Sequence, residues 1–248
     1  MDGILVLSGA ITLLVGFAFL PLVAQFARRP STDATGRRAM RLYAFWWGCL
    51  AFNHAASGVV YTAAGLGWTS LESQVTLAVL NRVVLCASLV GLMTYVLYVA
   101  TGRDLWKPLA IVYVCYLAIT LLLFFASRPD EVLVLGWRTV AQPSVPTPRW
   151  GDLLAIVVIV LPPLVGGILF ARAARRAATR TARVRGAVVG YMLMAWWVLT
   201  VAAGNVATYT SIIQPLNRLA GLILVAAALL AYGAAPRDAA SDAQPPPT

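Results

Sequence analysis

The placement of charge constrains this chain more than any other feature. All nine acidic residues (Asp2, Asp33, Glu72, Asp104, Asp130, Glu131, Asp152, Asp238 and Asp242) lie outside its long apolar runs, Asp152 at the edge of one. Of the nineteen basic residues, only Arg82 and Arg218 fall inside such runs. A bilayer core of about 30 Å takes roughly 20 helical residues to cross. Seven runs reach that length: about 3–27, 42–66, 75–100, 108–126, 152–171, 186–210 and 212–235. Charged residues make up 11% of the chain and mean hydropathy is +0.81, whereas soluble domains carry roughly a quarter charged residues. The expectation is an all-α, polytopic integral membrane protein. It would have one seven-helix transmembrane domain over 1–237 and a disordered cytoplasmic tail over 238–248, which ends SDAQPPPT.

Arginine counts set the expected orientation. Fourteen basic residues fall on one side: five in the first loop (Arg28 to Arg41), Arg103 and Lys107, six between Arg172 and Arg185, and Arg237. The other side has Arg128, Arg138 and Arg149. Basic loops stay in the cytoplasm, so the N-terminus is expected outside and the C-terminus inside, in the plasma (cell inner) membrane. The first run carries Asp2 and no basic residue before it, and it ends in Arg28-Arg29, so it is read as a span and not as a secretory leader. The net charge of +10 follows from this topology and from attraction to anionic lipid, and no nucleic-acid partner is expected. Residues 127–151 read as an external loop whose four prolines limit regular structure, with Trp137 and Trp150 on the outer interface.

Helices 1–3 and 5–7 echo one another. Pro21-Leu22-Val23 before Phe26-Ala27-Arg28 pairs with Pro163-Leu164-Val165 before Phe170-Ala171-Arg172; Trp46-Trp47 pairs with Trp196-Trp197, and Tyr61-Thr62 with Tyr209-Thr210. Leu80-Asn81-Arg82 returns as Leu216-Asn217-Arg218. The order suggests a 3+1+3 plan of parallel repeats, with chance matching in an apolar alphabet as the alternative; such repeats build transporters with a site at their interface. On Pro21 and Pro163, Trp47 and Trp197, Asn81 and Asn217, the chain resembles the sugar-transporting SWEET and PQ-loop proteins, which implies helix-bending prolines and a pathway faced by tryptophan and asparagine. It departs from them in lacking a Pro-Gln dipeptide, in the arginine after each asparagine and in its long basic loops. Microbial rhodopsins share the seven-helix plan, but their retinal needs an amine in the last helix. The only lysine here is Lys107, at a loop, so covalent retinal is excluded and no cofactor is expected.

An arginine deep in lipid costs about 2.5–3.5 kcal/mol on insertion scales. Arg82 and Arg218 each lie roughly 10 Å inside the expected outer boundary, counting 1.5 Å per residue. They either snorkel or bond helix-end carbonyls, or face a pocket and hold a carboxylate or phosphate, or meet an acidic partner subunit. In helix 3, Gln74, Asn81, Ser88 and Tyr95 recur every seven residues along one face. Helix 2 adds Asn53, His54, Ser57 and Tyr61, and helix 6 adds Thr200, Asn205, Thr208 and Tyr209, while helices 1 and 5 suit lipid-facing positions. These polar groups either bond between helices or line a cavity. His54, the only histidine, is expected to be a satisfied core residue, with proton coupling as the alternative; it makes neither a bis-histidine haem site nor a metal site. The cysteines Cys49, Cys86 and Cys115 read as apolar packing. No catalytic constellation is present: Ser57 shares a helix with His54 and has no nucleophile-elbow context.

The first functional expectation is a transporter for a small polar or anionic solute, moving it through a cavity between two three-helix units. Arg82 and Arg218 would attract the solute, Asn81 and Asn217 would bond it, and Trp47 and Trp197 would wall the cavity. Asn53, His54, Tyr61, Ser88, Asn205 and Tyr209 would complete the lining. The alternatives are a receptor signalling through its basic loops to a separate cytoplasmic partner, and a scaffolding subunit of a larger membrane complex.

Overall fold

The computed structural model describes residues 2–28, 34–146, 148–177, 180, 183–184, 186–191, 193–195 and 213–233. It is mostly helical (83%). In chain order come α1 (Gly3–Ala27), α2 (Ala34–Gly65), α3 (Leu71–Thr101) and α4 (Trp106–Ala126). Two strands follow, β1 (Pro129–Leu135) and β2 (Arg138–Pro143). The chain continues in α5 (Arg149–Arg175), α6 (Gly186–Ala195) and α7 (Ile213–Gly233). Four helices, α1, α3, α4 and α5, are long and apolar enough to cross a membrane, which makes this an integral membrane protein by length and composition. α2 is longer than any of them but more polar. α7 contributes the shorter apolar stretch Gln214–Leu230, and only the first part of the sixth expected run is described.

Glycine explains why α1 and α2 form the tightest pair. Gly9 and Gly16 on one helix, and Gly58 and Gly65 on the other, are each spaced by seven, which keeps them on a single stripe. A Cβ on Gly9 would stand 2.7 Å from the Gly58 carbonyl oxygen, and a Cβ on Gly58 would stand 2.9 Å from that of Gly9. The backbones therefore touch, as small residues permit in lipid, where apolar burial by itself does not drive helices together. Gly167 of α5 and Gly190 of α6 repeat the arrangement, each Cβ position lying 2.9 and 2.7 Å from the other's carbonyl oxygen.

Held in this way, α1 is more covered than α5, the other helix expected to face lipid, whose apolar window is 28% buried, and α4 is less covered than either. Only 17% of the apolar window of α4 is buried, against 39% for α1 and 50% for α3. The core is aromatic at the arginine-rich end. Phe26 meets Tyr43 at 4.7 Å, Tyr43 stacks on Tyr95 at 4.1 Å, Trp46 lies 4.3 Å from Trp47, and Phe170 closes on Tyr95 at 5.7 Å. At the same end Arg38, in the second turn of α2, pairs with Asp104 at 2.5 Å, joining α2 to the loop between α3 and α4. In α5 a π-helical turn, Ile156–Val160, stands directly before Pro162 and Pro163, where the missing proline N–H groups break the ordinary ladder.

The helical expectation agrees with the structure, but the expected irregular loop over 127–151 is corrected by the hairpin. Pro129 and Pro143 face one another at its open end, where a missing N–H costs least. Between them runs VLVLGWRTVA, rich in β-branched residues, with Leu135 paired to Arg138 across a two-residue turn. Gly136 takes φ +58° at the first turn position, where a side chain would be strained. The chain enters the hairpin through Arg128, whose φ is +48°. Ser144 holds that reversal, its hydroxyl donating to the Arg128 carbonyl at 2.6 Å.

Candidate functional site

A cavity of about 500 Å³ lies between α3, α4 and the hairpin, with Tyr61 of α2 at its margin. Its polar lining comes from one face of α3 and from β2. Gln74 is 2% exposed; its Oε1 accepts from the Thr139 hydroxyl at 3.0 Å, while its Nε2 has no partner among the described residues. Seven residues on, Asn81 turns into the same space with a buried, unpartnered Oδ1.

Arg82 follows. Its Nη1 donates to the Ala78 carbonyl of its own helix at 2.8 Å, and the guanidinium stacks over Phe124 at 4.2 Å. Arg138 of β2 brings a second cation to the lining, which contains no acidic side chain among the described residues. Gln142 adds a further amide, and the apolar part of the lining includes Leu77, Leu85, Leu133, Leu135, Val140 and Phe124. Arg82, Leu85 and Phe124 also form the wall of a second cavity of about 220 Å³, lined further by Cys86, Tyr116, Thr120 and Asp152.

Arg218 has a different setting. It is 8% exposed. Its Nη1 donates to the Ser8 carbonyl at 3.1 Å and to the Ser8 hydroxyl, and its Nη2 donates to the Trp137 carbonyl at 3.1 Å. Ser8 in turn donates to that Trp137 carbonyl at 2.5 Å. The guanidinium also lies 5.3 Å from the centre of the Tyr61 ring, whose residue borders the large cavity. Arg218 thus ties α7 to α1 and to the hairpin tip, and oxygen dipoles take the place of a counter-ion.

The structure therefore brings together Asn81, Arg82 and Tyr61 of the expected set. Trp47 sits in the aromatic core, 5.5 Å from Phe19, and is not among the cavity's lining side chains. His54 is bonded through Nδ1 to the Leu50 carbonyl at 2.8 Å and packs edge-on against Phe19. The Ser88 hydroxyl turns back to the Leu85 carbonyl at 2.7 Å. Asn53 and Asn217 are half-buried, each with an unpartnered Oδ1, and neither lines the cavity. Trp197, Asn205 and Tyr209 lie outside the described residues.

Sequence reasoning missed Arg138, Thr139, Gln142 and Ser8. The first three sit in the unforeseen hairpin; Ser8 is, with Thr12 and Gln25, one of three polar side chains in a largely apolar helix. Among the described residues no group of three or more His, Cys, Asp or Glu side chains could hold a metal ion. No family model, characterised protein or solved structure matches this chain.

Proposed function

We propose that this chain is a seven-helix carrier that takes a small anionic solute into the cavity beneath the hairpin and passes it across the membrane. In this reading the N-terminus and hairpin face outward and the arginine-rich loops face the cytoplasm. The carrying observation is Arg82, a cation with one acceptor on its own helix. Beside it stand Arg138 and the unpartnered Gln74 Nε2, in a lining without a carboxylate. Such converging donors suit an anion, which accepts charge-assisted bonds from several at once.

A cavity at one end and a solid aromatic block at the other agree with one limb of alternating access. A 3+1+3 repeat is supported by the two glycine contacts, Gly9 with Gly58 and Gly167 with Gly190. It is supported further by Phe26 and Phe170, which both turn onto core tyrosines.

The same aromatic block favours a second reading, a receptor, which needs no path through the bundle. Uptake into proteoliposomes, with small carboxylates and phosphate as probes, separates the two. The carrier reading expects uptake that Arg82→Gln abolishes. Binding at Arg82 without uptake of any probe would move the protein to the receptor class. Probe binding and uptake both indifferent to Arg82→Gln would sink the anion site altogether.

A further inference from the structure

Resting on the anion-carrier reading, we infer that the solute is an amphiphilic anion: a carboxylate or phosphate head joined to an apolar body of several carbons. The head is specified by the donors. Gln74 is more than nine-tenths buried and lines the cavity; its Oε1 accepts from Thr139, which leaves Nε2 without a partner among the described residues. A buried amide N–H left unpaired costs about 1–3 kcal/mol, so an acceptor oxygen in the cavity is strongly favoured at that point. Arg82 and Arg138 supply the charge. The Asn81 Oδ1 asks for a donor, which a hydroxyl on the solute or a protonated head oxygen provides.

The body is specified by the remaining wall. Leu77, Leu85, Phe124, Leu133, Leu135 and Val140 line the same space. A compact inorganic anion fills little of about 500 Å³ and leaves these side chains facing trapped water. The wall formed by Arg82, Leu85 and Phe124 is shared with the second cavity, where Cys86 and Leu123 extend the apolar surface and Tyr116, Thr120 and Asp152 interrupt it. Ligand pockets with an apolar lining and a few converging polar groups hold ligands of this kind. The amphiphile has two possible sources, a lipid of the surrounding leaflet or a dissolved organic acid, and both present the same chemistry.

The test uses the full chain in nanodiscs, with acetate, butanoate, hexanoate, octanoate and inorganic phosphate as probes and empty nanodiscs subtracted. Affinity is expected to rise about fourfold per added methylene until the cavity is full, and to fall at least tenfold for every carboxylate in Arg82→Gln. Leu133→Ser, at a half-exposed hairpin position, is expected to weaken octanoate about threefold or more and acetate by a smaller factor. Leu135→Ser repeats that measurement at a second site in case the first variant fails to fold. Mass spectrometry of the purified chain separates the sources. A phospholipid retained by the wild type and lost from Arg82→Gln assigns the bilayer; probe binding without retained lipid assigns a dissolved acid. Acetate and phosphate binding as tightly as octanoate, and still requiring Arg82, would overturn the amphiphile and leave the anion carrier standing. If no probe binds and no lipid is retained, both fall.

Discussion

The two Asn-Arg pairs begin from the same local sequence and end in opposite circumstances. Arg218 is ringed by oxygen: the carbonyl and hydroxyl of Ser8 and the carbonyl of Trp137 take its donors, and Tyr61 covers it. Arg82 finds one carbonyl on its own helix and an aromatic face, and the rest of its fork meets a cavity. The difference comes from the neighbours and not from the dipeptide. α7 lies beside α1 and the hairpin tip, where backbone carbonyls and a serine are within reach. α3 lies beside α4, whose facing side chains, Phe124 and Tyr116, are aromatic. A buried cation supplied with enough acceptors becomes a brace; one left short of them is available for a ligand.

That contrast can be broken most directly at Arg218. Arg218→Leu strands the Trp137 carbonyl with one donor and removes three charge-assisted bonds, so unfolding free energy in nanodiscs should fall by about 3 kcal/mol. A variant as stable as the wild type would remove the brace from the comparison. Arg82→Gln should do the reverse. Anion affinity should drop ten- to hundredfold, about 1.4–2.8 kcal/mol, while thermal unfolding shifts by no more than about 0.5 kcal/mol, as for an ordinary surface change. Ser8→Ala removes one hydroxyl and leaves both carbonyls, and should cost about 1 kcal/mol of stability with affinity unchanged. The smallest effect belongs to Thr139→Val. It releases the Gln74 amide to rotate, and titration should show a two- to fivefold weaker anion, up to about 1 kcal/mol.

Helices were legible because every span must satisfy its backbone internally and bury no charge, which leaves an unbroken apolar run. The hairpin was not. Four prolines within 127–151 argued against regular structure, yet two of them stand opposite each other at the strand ends and leave VLVLGWRTVA uninterrupted. The polar stripe of α3 reads as one face in the sequence, but its two halves diverge. Gln74 and Asn81 reach the cavity, whereas Ser88 bonds its own helix and Tyr95 stacks in the core. Periodicity fixes a face; what lies opposite that face depends on packing between segments far apart in the chain. For the same reason nothing in Leu-Asn-Arg announced which arginine would find Ser8.

The Ser8, Trp137 and Arg218 contact joins positions 129, 81 and 210 residues apart. A ribosome delivering roughly 5–20 residues per second finishes Trp137 several seconds before Arg218 exists. During that interval Ser8 holds the hairpin tip without Arg218, while the Thr139 hydroxyl on Gln74 ties β2 to α3. The α7 helix therefore fastens the first helix to the hairpin, and a product arrested before α7 would keep its earlier spans but lack the three Arg218 bonds that join them.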